Sequence, residues 1–392
     1  MAFELPSRGF VFWPVGTGDS TTIIIKENEI VMQVDLHHLA KADDDDTPHT
    51  AIVDELVRLL PKKNGKPYLS VFALTHPDKD HVLGFSELLK KVQIGEIWHT
   101  PRIFQEYKCD LCDDAVKFKE EVERRREATI KAAGDPKAGD RVRVIGHDIA
   151  AEDEAYKTFP EEWHSYPGDS ITSLDGTDYS DVFEAFVHAP FKEDIAAERN
   201  DTSLALQITL HCGDQVAKAL LFGDREYPTT KQIFDVTKEH KRDEYVEWNI
   251  LLAPHHCSKC VMYWKDDPEG EETYKSDIME EFEEAGLDVR YVVVSADSDF
   301  SDKEGKNPPH LKARNRYEEL VESGNFLCTH EYPSVDSPEP IKFEISENGL
   351  ELVKSTTDKA QKAARTTVAV AAARGGEAPP TRQVGFGKFF EK

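Results

Sequence analysis

The chain has 392 residues, with 48 Lys plus Arg against 75 Asp plus Glu, and a formal net charge of −27. An acid excess of that size repels polyanions, which excludes a protein that coats duplex DNA through a broad basic surface. The apolar runs, such as residues 23–25 and 292–294, are a few residues long and fall far short of the ~20 residues a spanning helix needs. Residues 1–6 lack the basic and apolar regions of a secretory signal, so a cytoplasmic protein without a membrane role is expected.

At 39% hydrophobic residues the chain can build a core, and its length suits one large α/β domain carrying an insertion. It opens with strand patterns over 10–13, 20–25 and 30–35, separated by turns at 16–19 and 27–29. Apolar residues Ile52, Val53, Leu56, Leu59 and Leu60 repeat with a helical period, which Pro61 stops. A strand over 69–74 then runs into Thr75-His76, and a helix is predicted near 85–92. Strands alternating with helices predict a layered α/β fold.

Residues 104–165 change texture. Positions 116–133 are dense in Lys, Glu and Arg with few apolar anchors, which predicts an exposed helix laced by i to i+4 pairs within a charged helical insertion. Strand patterns resume at 183–188, 203–210, 219–222, 249–253 and 290–295. Residues 355–392 are rich in Ala, Thr and Gly, contain Pro379-Pro380, and carry seven basic against three acidic residues. They read as a disordered low-complexity tail, which leaves the body, residues 1–354, at −31. No repeat with a period of 20–50 residues is visible, which argues against solenoids and propellers.

The sharpest signal is Leu74-Thr75-His76-Pro77-Asp78-Lys79-Asp80-His81, an H-x-D-x-D-H cluster directly after an apolar strand. Four ligand-type side chains in six residues cannot share one face of a helix or strand. A tight loop can converge them, and loops at strand ends hold the sites of α/β folds. Imidazole and carboxylate at this density suit one or two divalent cations. A solvated polar loop with a capping Asp is the plainer alternative.

With this cluster in place, the chain resembles the metallo-β-lactamase fold hydrolases, and within them the soluble domain of the ComEC-type DNA-uptake proteins. The motifs run in the family's order: Gly16-Thr17-Gly18-Asp19-Ser20, a strand ending in Asp35, Thr75 to His81, Asn200-Asp201-Thr202-Ser203-Leu204, Leu221-Phe222-Gly223-Asp224 and His255-His256-Cys257-Ser258. The likeness covers residues 9–350. It implies a metallo-β-lactamase αββα sandwich with a dinuclear centre. In that centre His76 and Asp78 would hold one metal, Asp80 and His81 the other, and Asp224 would bridge both. One of His255 and His256 would complete the second site. Asp35 would orient the His-rich loop from behind it. Asp19, Ser20, Asn200, Ser203, Ser258 and Lys259 would line or support the pocket, although Gly16 to Ser20 equally reads as a hairpin turn.

In the commoner family pattern a His stands where this chain has Asp78, and another where it has Asn200. Losing those nitrogens makes the first site harder, so Mn²⁺ competes with Zn²⁺ for the two positions. By the same resemblance Asp80 would orient the attacking water, and His310, in Asn307-Pro308-Pro309-His310, would protonate a leaving group or hold substrate.

Cys257 replaces the usual Gly after the His pair and forms Cys257-x-x-Cys260, while the insertion carries Cys109-x-x-Cys112. Together they would make a structural zinc site if the insertion folds over the site loop, with ordinary thiols as the alternative. His37-His38 and Asp43 to Asp46 read as a solvated polar run.

The expectation is a metal-dependent hydrolase, a phosphodiesterase or nuclease acting on a nucleotide or a short single strand. A body at −31 gives no track for a long duplex, whereas a small substrate needs only the metals and local contacts such as Lys259 or Lys303. Hydrolysis of amide, lactone or thioester bonds in the same fold is the alternative. A third is a non-catalytic module that meets a protein partner through residues 104–165.

Overall fold

The computed structural model describes residues 3–39, 49–101, 111–146, 156–191, 199–267, 269–303 and 306–354. Phe3–Val353 forms one compact unit, and the expected tail lies outside the described residues.

Two sheets face each other. The first runs in the order Gly349–Leu352, Ile341–Ser346, Gly9–Phe12, Thr21–Lys26, Ile30–Val34, Lys66–Ala73, Gln93–His99, Arg141–Ile145 and His164–Ser165. The second runs Phe326–Cys328, Gly286–Val294, Trp248–Leu252, Gln215–Leu221, Ala205–Cys212, Phe183–Ala189 and Ser170–Ile171. Phe10, Met32, Val71 and Trp98 of the first sheet meet Leu206, Ala219, Ile250 and Val293 of the second in the central core.

Helices cover both outer faces. Ile52–Leu59 and Phe85–Lys91 pack on the first sheet, and Tyr227–Glu239, Ser276–Ala285 and Leu311–Glu319 on the second. Where a helical layer covers the sheet, the strands are buried on both sides and read as apolar runs. In Thr21–Lys26, Ile23 and Ile25 point into the central core and Ile24 into the helical layer. The result is the expected αββα sandwich.

Within 104–165 the structure corrects the expectation of an exposed helix. Asp113–Lys131 is a helix that buries Ala115, Phe118, Val122, Arg125 and Thr129, a three-and-four spacing that makes one continuous face. Phe118 meets Phe85 and Phe72 at ring distances of 5.0 and 6.0 Å. The helix connects Gln93–His99 to the parallel strand Arg141–Ile145, so this stretch builds a sheet strand and part of the outer layer. The charge pattern hid the face because Arg125 sits on it. Its buried guanidinium donates to the carbonyls of Ile94, Gly95 and Arg141 and pairs with Glu121 at 2.8 Å.

What matters for function is where the strands end. Ile30–Val34 runs parallel to Lys66–Ala73, and Gln215–Leu221, Trp248–Leu252 and Gly286–Val294 are mutually parallel. The chemistry-bearing residues follow these carboxyl ends, as open α/β sheets favour. A hydrogen bond from the Leu204 amide to the Thr75 carbonyl, at 3.0 Å, ties the two sheets together there. No described helix is long and apolar enough to cross a membrane.

Candidate metal centre

Asp35 follows its strand with a left-handed backbone, φ 55°, that turns the carboxylate back under the next strand end. A buried polar chain fixes that end: Trp13 donates to Thr22, Thr22 to Gln33, and Gln33 to Ser20 Oγ and the Asp35 carbonyl, over 2.6–2.9 Å. Ser20 therefore helps to hold the strand end through its hydroxyl.

Asp35 then organises the His-rich loop. Its carboxylate accepts the Thr75 amide and hydroxyl, each at 2.7 Å, and lies 2.8 Å from His81 Nδ1. Asp80 and His81 ride on the short helix Lys79–Val82, whose His81 is fully buried. From the second sheet, Gly223 at φ 60° aims Asp224 into the same space. His255, His256 and Cys257 are three successive non-glycine residues at φ 51°, 51° and 64°. Left-handed backbone costs a side-chain-bearing residue about 1–2 kcal/mol, so the chain accepts strain to present both imidazoles.

Asp19, His81, Asp224 and His256 converge, each offering one ligand atom within 4.8 Å of the others. His81 Nε2 lies 3.1 Å from Asp224 Oδ1 and 3.1 Å from His256 Nε2, and His256 Nε2 lies 3.4 Å from both Asp80 Oδ2 and Asp224 Oδ2. Behind it, His256 Nδ1 is 3.1 Å from the Ser295 carbonyl and 3.4 Å from Asp19 Oδ1. Asp19 thus meets the cluster from behind His256. On the other side, His76 Nε2 and His255 Nε2 each stand 3.7 Å from Asp224 Oδ2, and Asp78 Oδ2 is 4.0 Å from His76 Nε2. The cluster reaches solvent at Asp78 and Asp80, whose side chains are 29% and 37% exposed.

The electrostatics follow from this crowding. Burial works against the charge of His81 and His256. The carboxylates of Asp224 with Asp35, and of Asp224 with Asp19, outweigh it and hold both rings well above the usual imidazole range. Burial also opposes ionisation of Asp224, yet four surrounding imidazoles hold it well below the carboxylate range. Asp80 is kept low in the same way, chiefly by its bond to His256. Burial and the charge of His81 depress His76 to about 3.

The donor set fits a divalent cation. Asp35 takes the Nδ1 proton of His81 and the Ser295 carbonyl that of His256, so in the neutral rings both Nε2 lone pairs face each other across 3.1 Å beside carboxylate oxygens. That arrangement is repulsive unless a proton or cation lies between. Two imidazoles on one tetrahedral ion at bond lengths of about 2.05 Å stand roughly 3.3 Å apart. On the other flank His76 Nε2 is buried without a hydrogen-bond partner among the described residues.

Other expected roles change. His310 accepts the Lys259 amide at Nδ1, 3.2 Å, and its Nε2 meets the Lys306 carbonyl at 3.2 Å. Both ring nitrogens are engaged by backbone, so His310 latches two loops together and offers no free nitrogen for proton transfer. Ser258 accepts the Cys260 amide and Lys259 pairs with Glu272 at 2.7 Å, so both support the loop. Asn200 contributes its carbonyl to the Ser203 amide. Ser203 gives its own carbonyl to buried Arg225, while its hydroxyl is buried without a partner. The four-cysteine zinc does not assemble. Cys112 packs in the helical layer of the first sheet and Cys257 in that of the second, on opposite sides of the sandwich, and Cys109 lies outside the described residues.

Sequence reasoning missed Glu226, 3.8 Å from His255 Nδ1, and Ser295, whose hydroxyl also bonds the Gly18 carbonyl at 2.6 Å. No motif marks either residue. It also missed a second convergence of His49, Asp297 and His330. There the Gly16 amide donates to His330 Nε2 at 2.8 Å, which puts the neutral ring's proton on Nδ1, 3.8 Å from Asp297 Oδ1. With no nitrogen lone pair left for a metal, His330 acts as a clamp on the Gly16 turn.

No family model and no curated protein matches the chain. Solved structures resemble it at low identity. The metallo-β-lactamase fold protein YhfI from Bacillus subtilis is 12% identical, covers 85% of this chain and 98% of its own, and gives a TM-score of 0.38. Unliganded yeast PDE1 is 12% identical, covers 82% and 97%, and gives 0.38. The class B3 di-zinc metallo-β-lactamase LRA-12 from an Alaskan soil metagenome is 11% identical, covers 72% and 91%, and gives 0.29.

Proposed function

We propose that this chain is a dinuclear metal-dependent phosphodiesterase acting on a nucleotide or a short single-stranded nucleic acid. The observation that carries the reading is the pair of Nε2 atoms of His81 and His256, 3.1 Å apart against the Asp224 carboxylate. Asp80, His81 and His256 would hold one cation, His76 and Asp78 the other with His255 beside them, and Asp224 would stand between. When bound, divalent ions supply Lewis acidity and a nucleophile drawn from water at neutral pH.

The chain's own groups supply the rest. Asp80 stays ionised and its side chain reaches solvent, so it can accept a hydrogen bond from the attacking water and hold it in place. Asp35 and the Ser295 carbonyl fix the tautomers of His81 and His256. The acid excess favours a small substrate, because only the immediate surroundings of the cations offset a body at −31. This carboxylate-rich donor set is also harder than an all-histidine one, which favours Mn²⁺ alongside Zn²⁺.

The test is an assay of Mn²⁺- or Zn²⁺-loaded protein on bis-p-nitrophenyl phosphate and a single-stranded oligonucleotide, beside a lactone and a thioester. Phosphodiester cleavage that vanishes in Asp80→Ala, with the fold intact, supports the reading. Cleavage confined to the lactone or thioester replaces it with the other hydrolase class.

A further inference from the structure

His37 was expected to belong to a solvated loop, but it is 6% exposed and lies against Gly18, the residue before Asp19 and close to the Asp80 backbone. Its backbone is placed by two bonds flanking it, from the Leu36 amide to the His81 carbonyl and from the His38 amide to the Leu83 carbonyl, both 2.8 Å. Its ring lies on Gly18. A Cβ at position 18 would come within 2.2 Å of His37 Nδ1 and 2.7 Å of the Asp80 carbonyl, so only glycine fits there.

Nδ1 is buried, faces the Gly18 backbone and has no hydrogen-bond partner. A lone pair against C–H tolerates such a site far better than an unsatisfied N–H. The proton therefore sits on Nε2, which makes no hydrogen bond among the described residues. Burial holds the ring neutral, its pKa depressed to about 3, and the groups that act on its charge include Asp80, His256 and His81. His37 is nonetheless outside the set of atoms that converge on a cation. A neutral donor at the edge of a metal cluster, engaged by no described residue, is suited to an oxyanion.

We propose that His37 is a substrate-binding residue, whose Nε2–H donates to a non-bridging oxygen of the phosphoryl group held at the metal centre. The proposal rests on the phosphodiesterase reading for the identity of that oxyanion, and its test separates the two.

Inorganic phosphate, the simplest ligand of this class, is titrated calorimetrically into metal-loaded wild type, His37→Ala and His37→Gln, with metal equivalents and unfolding temperature measured on each. The expected result is phosphate affinity at least about tenfold weaker in His37→Ala, as for loss of one charge-assisted bond. Metal content should be unchanged, and His37→Gln, which keeps a side-chain N–H, should recover part of the loss. Imidazole ¹⁵N resonances assigned to His37 should shift with phosphate in wild type. Equal affinity in His37→Ala, loss of metal along with phosphate, or no phosphate binding by wild type overturns the proposal. If wild type cleaves no phosphodiester yet His37→Ala still loses phosphate, the phosphodiesterase reading fails and the His37 contact stands.

Discussion

The Asp35 carboxylate touches His81 Nδ1 at 2.8 Å while accepting both the amide and the hydroxyl of Thr75. One residue thus locks the backbone of the His-rich loop and the tautomer of its last histidine. Outer partners of this kind typically change metal affinity by 10–100-fold when removed. Asp35→Asn should weaken metal binding by about that factor. The amide also turns a donor toward one of the existing donors, which should cost a further 1–3 kcal/mol of stability, roughly. Competition with a calibrated chelator, paired with urea unfolding of the metal-free protein, reads both.

The three left-handed residues at 255–257 make a different prediction. In Cys257→Gly the relief of left-handed strain, about 1–2 kcal/mol, is opposed by lost thiol burial and by the flexibility of glycine when unfolded, each about 1 kcal/mol. The variant should fall within about 1 kcal/mol of wild type. Cys257→Val keeps an apolar side chain but puts a β-branched residue at positive φ, and should lose about 2 kcal/mol or more. Chemical denaturation of the two variants side by side decides it.

How much of this was legible in the sequence depends on the kind of information each residue carries. The motifs pointed to His76, Asp80, His81, Asp224 and His256 because each motif is compact in sequence and sits where a parallel strand ends. His310 failed because a lone histidine in a loop says nothing about its neighbours. Only three dimensions show the Lys259 amide and Lys306 carbonyl on its two nitrogens. The helix Asp113–Lys131 was misjudged as exposed because Arg125 is buried on its core face by three backbone carbonyls that no sequence pattern announces. His37 was passed over for the converse reason, since its burial depends on Gly18, nineteen positions away.

Acid should weaken the fold away from the centre as well. Buried His188 meets the Tyr245 carbonyl at 2.9 Å, and burial depresses its pKa to about 4. Its folded value lies below the unfolded value near 6.5, so the stability it supports is full above that pH and is lost as pH falls toward 4. The difference amounts to roughly 2–3 kcal/mol by pH 4.5. His188→Gln, which can donate to the same carbonyl without titrating, should show a shallower loss between pH 7 and pH 4.5. Urea midpoints at the two pH values check this, and parallel slopes for variant and wild type would contradict it.

Gly223 precedes Asp224 at φ 60°, and a Cβ there would stand 3.0 Å from Ser203 Cβ and 3.3 Å from Thr75 Cβ. Gly223→Ala should therefore displace Asp224 and reduce metal content while leaving the sheets intact. Far-ultraviolet circular dichroism with metal analysis on the same sample distinguishes this from general unfolding.

The most direct measurement is elemental analysis of wild type beside Asp224→Ala after equilibration with Mn²⁺ or Zn²⁺ and removal of free ion. Near two equivalents per chain in wild type, falling to one or fewer in Asp224→Ala, is the predicted result. A wild type that retains no metal, or an Asp224→Ala protein that retains as much as wild type, would contradict a dinuclear centre built around Asp224.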